Sequence, residues 1–438
     1  VADVTSPDDH RVPAEPTEDM EDLESFRQRA RDWLRDHMPL LPSGSSNAQL
    51  AREDETGEWA KGLQRRLFEG GFAGICFPRR YGGQGLSRAH QRAFTVESLP
   101  YQMPTVLSVP TLSILAATLL DFGTEAQKEE HLSAIIRGDE AWVQFLSEPS
   151  GGSDLAGVVT RATRDGDVFV LNGSKIWSTG AYKCDYAMCL ARTNWQVPKH
   201  RGLTMFLMPI HQPGVEVQKI RMANGTAEFC QEFFTDVIVP ASDVLGEVDD
   251  GWTVASRLLY HERDAVGGGS PYLSGAPVVD PGRGAQRSGV VELAQRMGTT
   301  GDPLVRQLVA EDRVNERVQQ QLVQRIATGI RTGALPPPAG AITRLSAAMT
   351  TERHLDIALD IAGPTMGAWL GEQGAGGGGA MGMLGAVTWG DAYLIRQGGS
   401  LGGGSTEMAR NIISERVLGM PREPAADRDI PFDQVRHN

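Results

Sequence analysis

Two segments rich in glycine and hydroxyl groups hold the residues of this chain best suited to a planar polar ligand. The first is Leu146-Ser147-Glu148-Pro149-Ser150-Gly151-Gly152-Ser153-Asp154-Leu155-Ala156-Gly157, directly after the apolar run Ala141 to Leu146. The second is Asn172-Gly173-Ser174-Lys175-Ile176-Trp177-Ser178-Thr179-Gly180, which ends a strand-like stretch with an indole and two hydroxyls. Small residues let a polar ring approach the backbone, and an indole supplies a flat wall. A flavin has both needs, since its pyrimidine edge takes hydrogen bonds and its ring takes a wall. Either segment alone also fits a tight turn followed by a hairpin.

Glu262 is the candidate for acid–base work. It lies in Trp252-Thr253-Val254-Ala255-Ser256-Arg257-Leu258-Leu259-Tyr260-His261-Glu262-Arg263, and Ala255, Leu258, Leu259 and Val266 fall three, four or seven positions from it. Helical spacing therefore puts the carboxylate on the apolar face. An acid there is costly unless paired or used, and desolvation raises its pKa towards a useful range. A salt bridge to Arg257 or Arg263 is the structural alternative. The neighbouring His261 reads as a packed or solvent-facing residue.

Three regions must position these groups. From about Leu23 to Arg137 the pattern is helical, with Phe26, Ala30, Trp33 and Leu34, then Trp59, Leu63 and Leu67, at the 3.6-residue period. From Trp142 to Val244 it changes to short apolar runs bounded by Gly, Pro or Asn: Val168 to Leu171, Tyr186 to Leu190 and Leu203 to Met208. These predict strands of a buried-core sheet. Helical patterning resumes at Gly251 and continues to about Val417. The predicted fold is α+β and multidomain. A disordered acidic arm (1–22) precedes an N-terminal helical domain (23–140), a middle β-barrel or sandwich domain (141–248), a C-terminal helical bundle (249–420) and a tail (421–438). Gly267 to Gly269 predicts a helix stop, and Gly374 to Met383 a mobile loop.

The chain has 438 residues, 40% of them hydrophobic, and a net charge of −13. That balance speaks against nucleic-acid binding, because nothing would neutralise phosphates. No run of about 18 apolar residues predicts a membrane span, and no secretory signal is visible. Cys76, Cys184, Cys189 and Cys230 lack metal-ligand spacing. They predict reduced core thiols, no metal site and a cytoplasmic protein.

The two signature segments resemble those of the acyl-CoA dehydrogenase family, as does the order of helical, β and helical regions over about residues 20–420. Gly71-Phe72-Ala73-Gly74, Pro78 and Tyr81-Gly82-Gly83 resemble the family's first-domain loop. Glu232 to Val237 with Val239-Pro240 resembles the last strands of its β domain. The resemblance implies FAD, held through Leu146, Ser147, Gly152, Ser153, Trp177 and Thr179, with Ser405 and Glu407 matching C-terminal cofactor contacts. It implies α,β-dehydrogenation of an acyl-CoA, with an α-proton taken by a carboxylate and a β-hydride passed to the flavin. Ser153 and Arg263 match substrate contacts. An electron-transfer flavoprotein is the implied acceptor, and a homodimer, homotetramer or heteromer the implied assembly.

Many relatives place the base in a Tyr-Glu-Gly-Thr-like loop. Here Gly402-Gly403-Gly404-Ser405-Thr406-Glu407 occupies it, and the base position falls on Gly403, which retains only a backbone N–H. A second family solution, of the isovaleryl-CoA dehydrogenase type, puts the base on the first long helix after the β domain, where Glu262 stands. Two cofactor-diphosphate motifs depart from the pattern, at Ala294-Gln295-Arg296-Met297-Gly298 and at Asp360-Ile361-Ala362-Gly363-Pro364. The resemblance also leaves room for a flavin monooxygenase or oxidase, or for a cofactor-poor partner subunit of a heteromeric dehydrogenase.

Overall fold

Phe26, Ala30 and Leu34 recur at helical spacing and are buried along the helix Leu23–His37, which Asp22 starts by accepting from the Glu24 and Ser25 N–H groups. This computed structural model describes residues 20–42, 47, 50–51, 56–105, 109–266, 270–272, 289–368, 388–425 and 427–435. Most of the acidic arm, and the glycine runs at 267–269 and 374–383, lie outside the described residues. Helices Glu58–Glu69, Arg88–Ser98, Ala117–Phe122 and Glu125–Arg137 build the rest of the first region. A π-helical stretch, Val109–Ala116, leads into Ala117–Phe122.

The middle region is an eight-stranded sheet. Its strands are β1 Trp142–Phe145, β2 Arg161–Asp165, β3 Val168–Thr179, β4 Tyr186–Arg192, β5 Leu203–Pro209, β6 Val215–Ile220, β7 Phe229–Pro240 and β8 Val244–Leu245. The order is β6-β7-β3-β2-β4-β5-β8, with β1 parallel to β4. Tyr186 to Leu190 does not alternate with polar residues because β4 is covered on both sides. Ala187, Cys189 and Ala191 join Phe145, Phe169, Phe206 and Phe234 in the core of the β region. Met188 and Leu190 join Trp142, Leu146 and the N-terminal helices in a second core. Cys184, Cys189 and Cys230 are buried free thiols, and Cys76 is part-buried.

The second core also takes Val254, Ala255, Leu258 and Ala265 from the helix Gly251–Val266, which presses this helix against β5 and the first region. Its start needs glycine: a Cβ on Gly251 would lie 2.6 Å from the Thr204 backbone. A third core forms among helices Gly289–Arg296, Pro303–Arg331, Gly340–Ala362 and Trp389–Ile395. The segment read as a tail docks instead on the β region. Phe432 is buried with the Arg192 guanidinium 3.5 Å from its ring centroid, and its N–H donates to Val197 O at 2.9 Å. Among the described residues no helix is long and apolar enough to cross a membrane.

Candidate active site

The two signature segments are welded together. Glu148 and Gly151 exchange backbone hydrogen bonds around a tight turn. The Ile176 N–H donates to Ser147 O at 3.0 Å, and Lys175 Nζ donates to Leu146 O at 3.0 Å and to Glu148 Oε1 at 2.8 Å. Glu148 also accepts from the Val159 and Thr160 N–H groups at 2.6 and 2.9 Å. Burial opposes the Glu148 charge, but Lys175 and these donors outweigh it and hold the carboxyl below its usual pKa. The pair bolts the loop to β3 and leaves no carboxylate oxygen for chemistry.

On either side of that bolt, β3 changes phase. Register shifts against β7 occur around Asn172 and Trp177, and Trp177 has φ +69°. A bulge with a non-glycine residue in the left-handed region turns the side chain out of the sheet. The indole is 55% exposed and braced edge-on by Phe229, with ring centroids 5.8 Å apart. Thr179 is exposed, whereas Ser178 points inward and donates to the carboxylate of Glu232. Glu232 is fully buried, and burial pushes its pKa up to about 7 against the Ser178 bond and Lys175. Its second oxygen, Oε2, is buried without a partner among the described residues.

Glu262 faces β1 and the C-terminal loop. Gln144 Nε2 donates to Glu262 Oε2 at 3.1 Å. A Cβ on Gly403 would lie 3.7 Å from Glu262 Oε1. The helix carboxylate and the loop position thus face one point, although 141 residues separate them in sequence (403 − 262). Gly403 and Gly404 have φ +70° and +92°, and among the described residues the Gly403 N–H makes no backbone hydrogen bond. Arg344 braces the loop by donating to Gly402 O at 2.7 Å. Burial raises the Glu262 pKa, with the Gln144 bond, Arg263 and Arg344 opposing it in part. β1 joins the two halves of the site: at about 3.3 Å per residue, Ser147 lies roughly 10 Å along the chain from Gln144.

The salt-bridge alternative fails for Arg257, which is engaged elsewhere. Arg257 Nε and His261 Nε2 both meet Asp121 Oδ2, at 2.6 and 2.8 Å, and clamp the helix to Ala117–Phe122. Arg263 is exposed and makes no ion pair with Glu262 among the described residues. Gly152 and Ser153 are exposed at the loop surface. Ser405 caps the helix Thr406–Ile412 by accepting from the Met408 N–H at 3.2 Å. Glu407 is exposed beside Thr406 and Arg410. Asp360 and Arg296 are exposed at the ends of their helices, while Met297 packs into the third core.

Sequence reasoning missed Gln144, Arg344, Glu232 and the pairing of Glu148 with Lys175. Three of these left a signal. Gln144 interrupts the apolar run Ala141 to Leu146, and Glu232 stands between Cys230 and Phe234 on the inward parity of β7. Lys175 keeps the inward parity of Phe169 and Leu171 on β3. Arg344, on a helix far along the chain, left none.

Comparison with known proteins gives the geometry its class. Models of the acyl-CoA dehydrogenase N-terminal, middle and C-terminal domains match residues 20–139, 144–237 and 249–418. The chain is 34% identical over 406 residues to acyl-CoA dehydrogenase IpdE1 of Mycobacterium tuberculosis (strain ATCC 25618 / H37Rv), covering 92% of this chain and 99% of that protein. It is 30% identical over 257 residues to mitochondrial isovaleryl-CoA dehydrogenase of Pongo abelii, covering 57% and 58%. The solved structure described as the Tcur3481-Tcur3483 steroid ACAD superposes with TM-score 0.69 at 25% identity, covering 92% of this chain and 98% of that one. The chain belongs to the acyl-CoA dehydrogenase family. It is therefore an oxidoreductase, of a family whose members are flavoproteins.

Proposed function

We propose that this chain carries out FAD-dependent α,β-dehydrogenation of an acyl-CoA, with Glu262 taking the α-proton. The observation that carries the reading is the meeting of Glu262 with the empty loop position at Gly403. Glu262 is part-buried, lacks an ion-pair partner among the described residues, and has its pKa raised by burial. That environment suits a general base.

The residues present fit the cofactor's ring half. Trp177 offers an exposed indole on a strained bulge, and the loop bearing Ser147 and Gly152 is fixed beside it. Leu146, Ser147, Gly152, Ser153, Trp177 and Thr179 would hold the isoalloxazine, with Ser405 and Glu407 contributing from the C-terminal loop. Bound FAD supplies the hydride acceptor for the substrate β-carbon. The Gly403 N–H would donate to the thioester oxygen and stabilise the charge that develops as Glu262 removes the proton. Ser153 and Arg263 would orient the CoA moiety.

Bulky or branched acyl groups are the proposed substrates, on the similarity to the structure described as a steroid ACAD and to isovaleryl-CoA dehydrogenase. An electron-transfer flavoprotein is the proposed acceptor and the cytoplasm the proposed compartment. The proposed assembly is oligomeric, either of identical chains or with a sister chain. The exposed Asp360 and the altered Arg296-Met297 stretch favour a second reading, a partner subunit that relies on another chain for the cofactor. Purification of the chain alone separates the two. The leading reading expects a bound-flavin spectrum that a steroid-derived or branched acyl-CoA bleaches anaerobically. Colourless protein that gains flavin only with a second chain supports the subunit reading. A flavin that acyl-CoA leaves oxidised points to monooxygenase or oxidase chemistry.

A further inference from the structure

Gln144 is a polar residue where the sequence calls for an apolar one. It shares a face of β1 with Trp142 and Leu146, both buried in the core between the β region and the N-terminal helices. A primary amide on such a face is costly unless both ends are satisfied. One end is: Nε2 donates to Glu262 Oε2 at 3.1 Å. The other is not, because Gln144 Oε1 is buried with no partner among the described residues.

We propose that Gln144 is a positioning residue for Glu262 that holds the carboxylate as a donor and the protonated acid as an acceptor. The inference rests on Glu262 being the base. An ionised carboxylate offers only acceptors, so it takes the Nε2–H. When a substrate α-proton arrives on Glu262, a lone-pair site is lost and an O–H donor is gained. Half a turn of the Gln144 amide about its terminal torsion then presents Oε1 to that O–H. The two ends of an amide have nearly the same shape, so the turn needs little room. No fixed hydrogen bond at the far end opposes it, which is what the unpartnered Oε1 provides. A rigid donor such as a lysine would favour only the ionised state and weaken the base. A purely apolar neighbour would favour only the neutral acid.

The charged groups facing Glu262 are Arg263 from its own helix and Arg344 from the helix Gly340–Ala362. Arg344 is committed to Gly402 O at 2.7 Å, so it acts on Glu262 at a distance. Gln144 is then the only direct hydrogen-bond partner of Glu262 among the described residues.

The test is Gln144→Met in the flavin-loaded enzyme, read as the pH profile of single-turnover flavin reduction by acyl-CoA. A hydrogen bond to a charged group corresponds to about one pKa unit or more. Because the bond to the carboxylate is charge-assisted and the bond to the neutral acid is not, losing both should still move the acidic limb up, by about one unit or less. Infrared titration of the buried carboxylic-acid band should move by the same amount in the apoenzyme. Gln144→Asn, one methylene too short to reach, should behave likewise and serves if the methionine variant does not fold. An unmoved limb and band in either folded variant overturns the role of Gln144. Glu262→Gln is the control: if it reduces flavin at the unsubstituted rate, the base assignment itself has failed, whatever Gln144 does.

Discussion

Glu148 and Glu262 are two carboxylates a few residues of β1 apart in space, and their surroundings make opposite use of the same group. Glu148 is saturated: an ammonium at 2.8 Å and two backbone N–H groups fix both oxygens, and its pKa falls despite burial. Glu262 has one amide and no close cation, and its pKa rises. A carboxylate held by three donors cannot take a proton without breaking the fold around it. One held by a single reversible donor can. The contrast shows how β1 joins a rigid frame, at the loop that follows it, to a reactive group on the helix packed beside it.

Breaking the bolt should produce the largest effect. Lys175→Met leaves Glu148 buried without its cation, and loss of one partner of a buried pair costs about 3–5 kcal/mol. Urea unfolding should show that loss near neutral pH. The loss should shrink as acid neutralises Glu148, because a carboxyl held low contributes stability that disappears as pH falls through its folded pKa. A loss that does not change with pH would remove Glu148 from the explanation.

Glu232 provides the opposite slope within the same sheet. Burial pushes its folded pKa from the ordinary 4.5 up to about 7, so the folded state keeps a proton that the unfolded chain releases. Stability should fall as pH rises from about 4.5 to about 7 and level off above, by on the order of 3 kcal/mol at most. Glu232→Gln should flatten that slope. Unfolding curves at pH 5 and pH 8 (working values of about the two ends of this window) check the sign.

Moving the reactive carboxylate tests whether Glu262 and Gly403 serve one point. Glu262→Gly combined with Gly403→Glu should recover part of the flavin-reduction rate that Glu262→Gly loses. Recovery stays partial because a side chain at φ +70° costs about 1–2 kcal/mol. No recovery in a folded, flavin-loaded double variant would separate the two positions. The smallest effect belongs to the wall. Trp177→Ala should weaken flavin affinity by about tenfold or less, the scale of one aromatic contact, with the fold intact by circular dichroism.

The three-region order was legible because periodicity changes visibly from 3.6 residues to short apolar runs and back. Glu262 was legible for the same reason, as an acid on an apolar helix face. Helical period alone could not place it against Gly403, since that meeting depends on how two distant segments pack. The outward turn of Trp177 was hidden because a bulge shifts the alternation of β3, and strand alternation is the signal one reads. Asp121 shows the limit from the other side. It takes Arg257 and His261 and so frees Glu262 from the salt bridge that sequence left open, yet it lies on another helix 136 residues before Arg257.

The central claim is that Glu262 is the base. Its most direct test is anaerobic single-turnover reduction of the bound flavin by acyl-CoA in Glu262→Gln. The substitution keeps shape and removes basicity. The account predicts a rate lower by roughly 100-fold or more, with acyl-CoA binding largely preserved; an unchanged rate would contradict it.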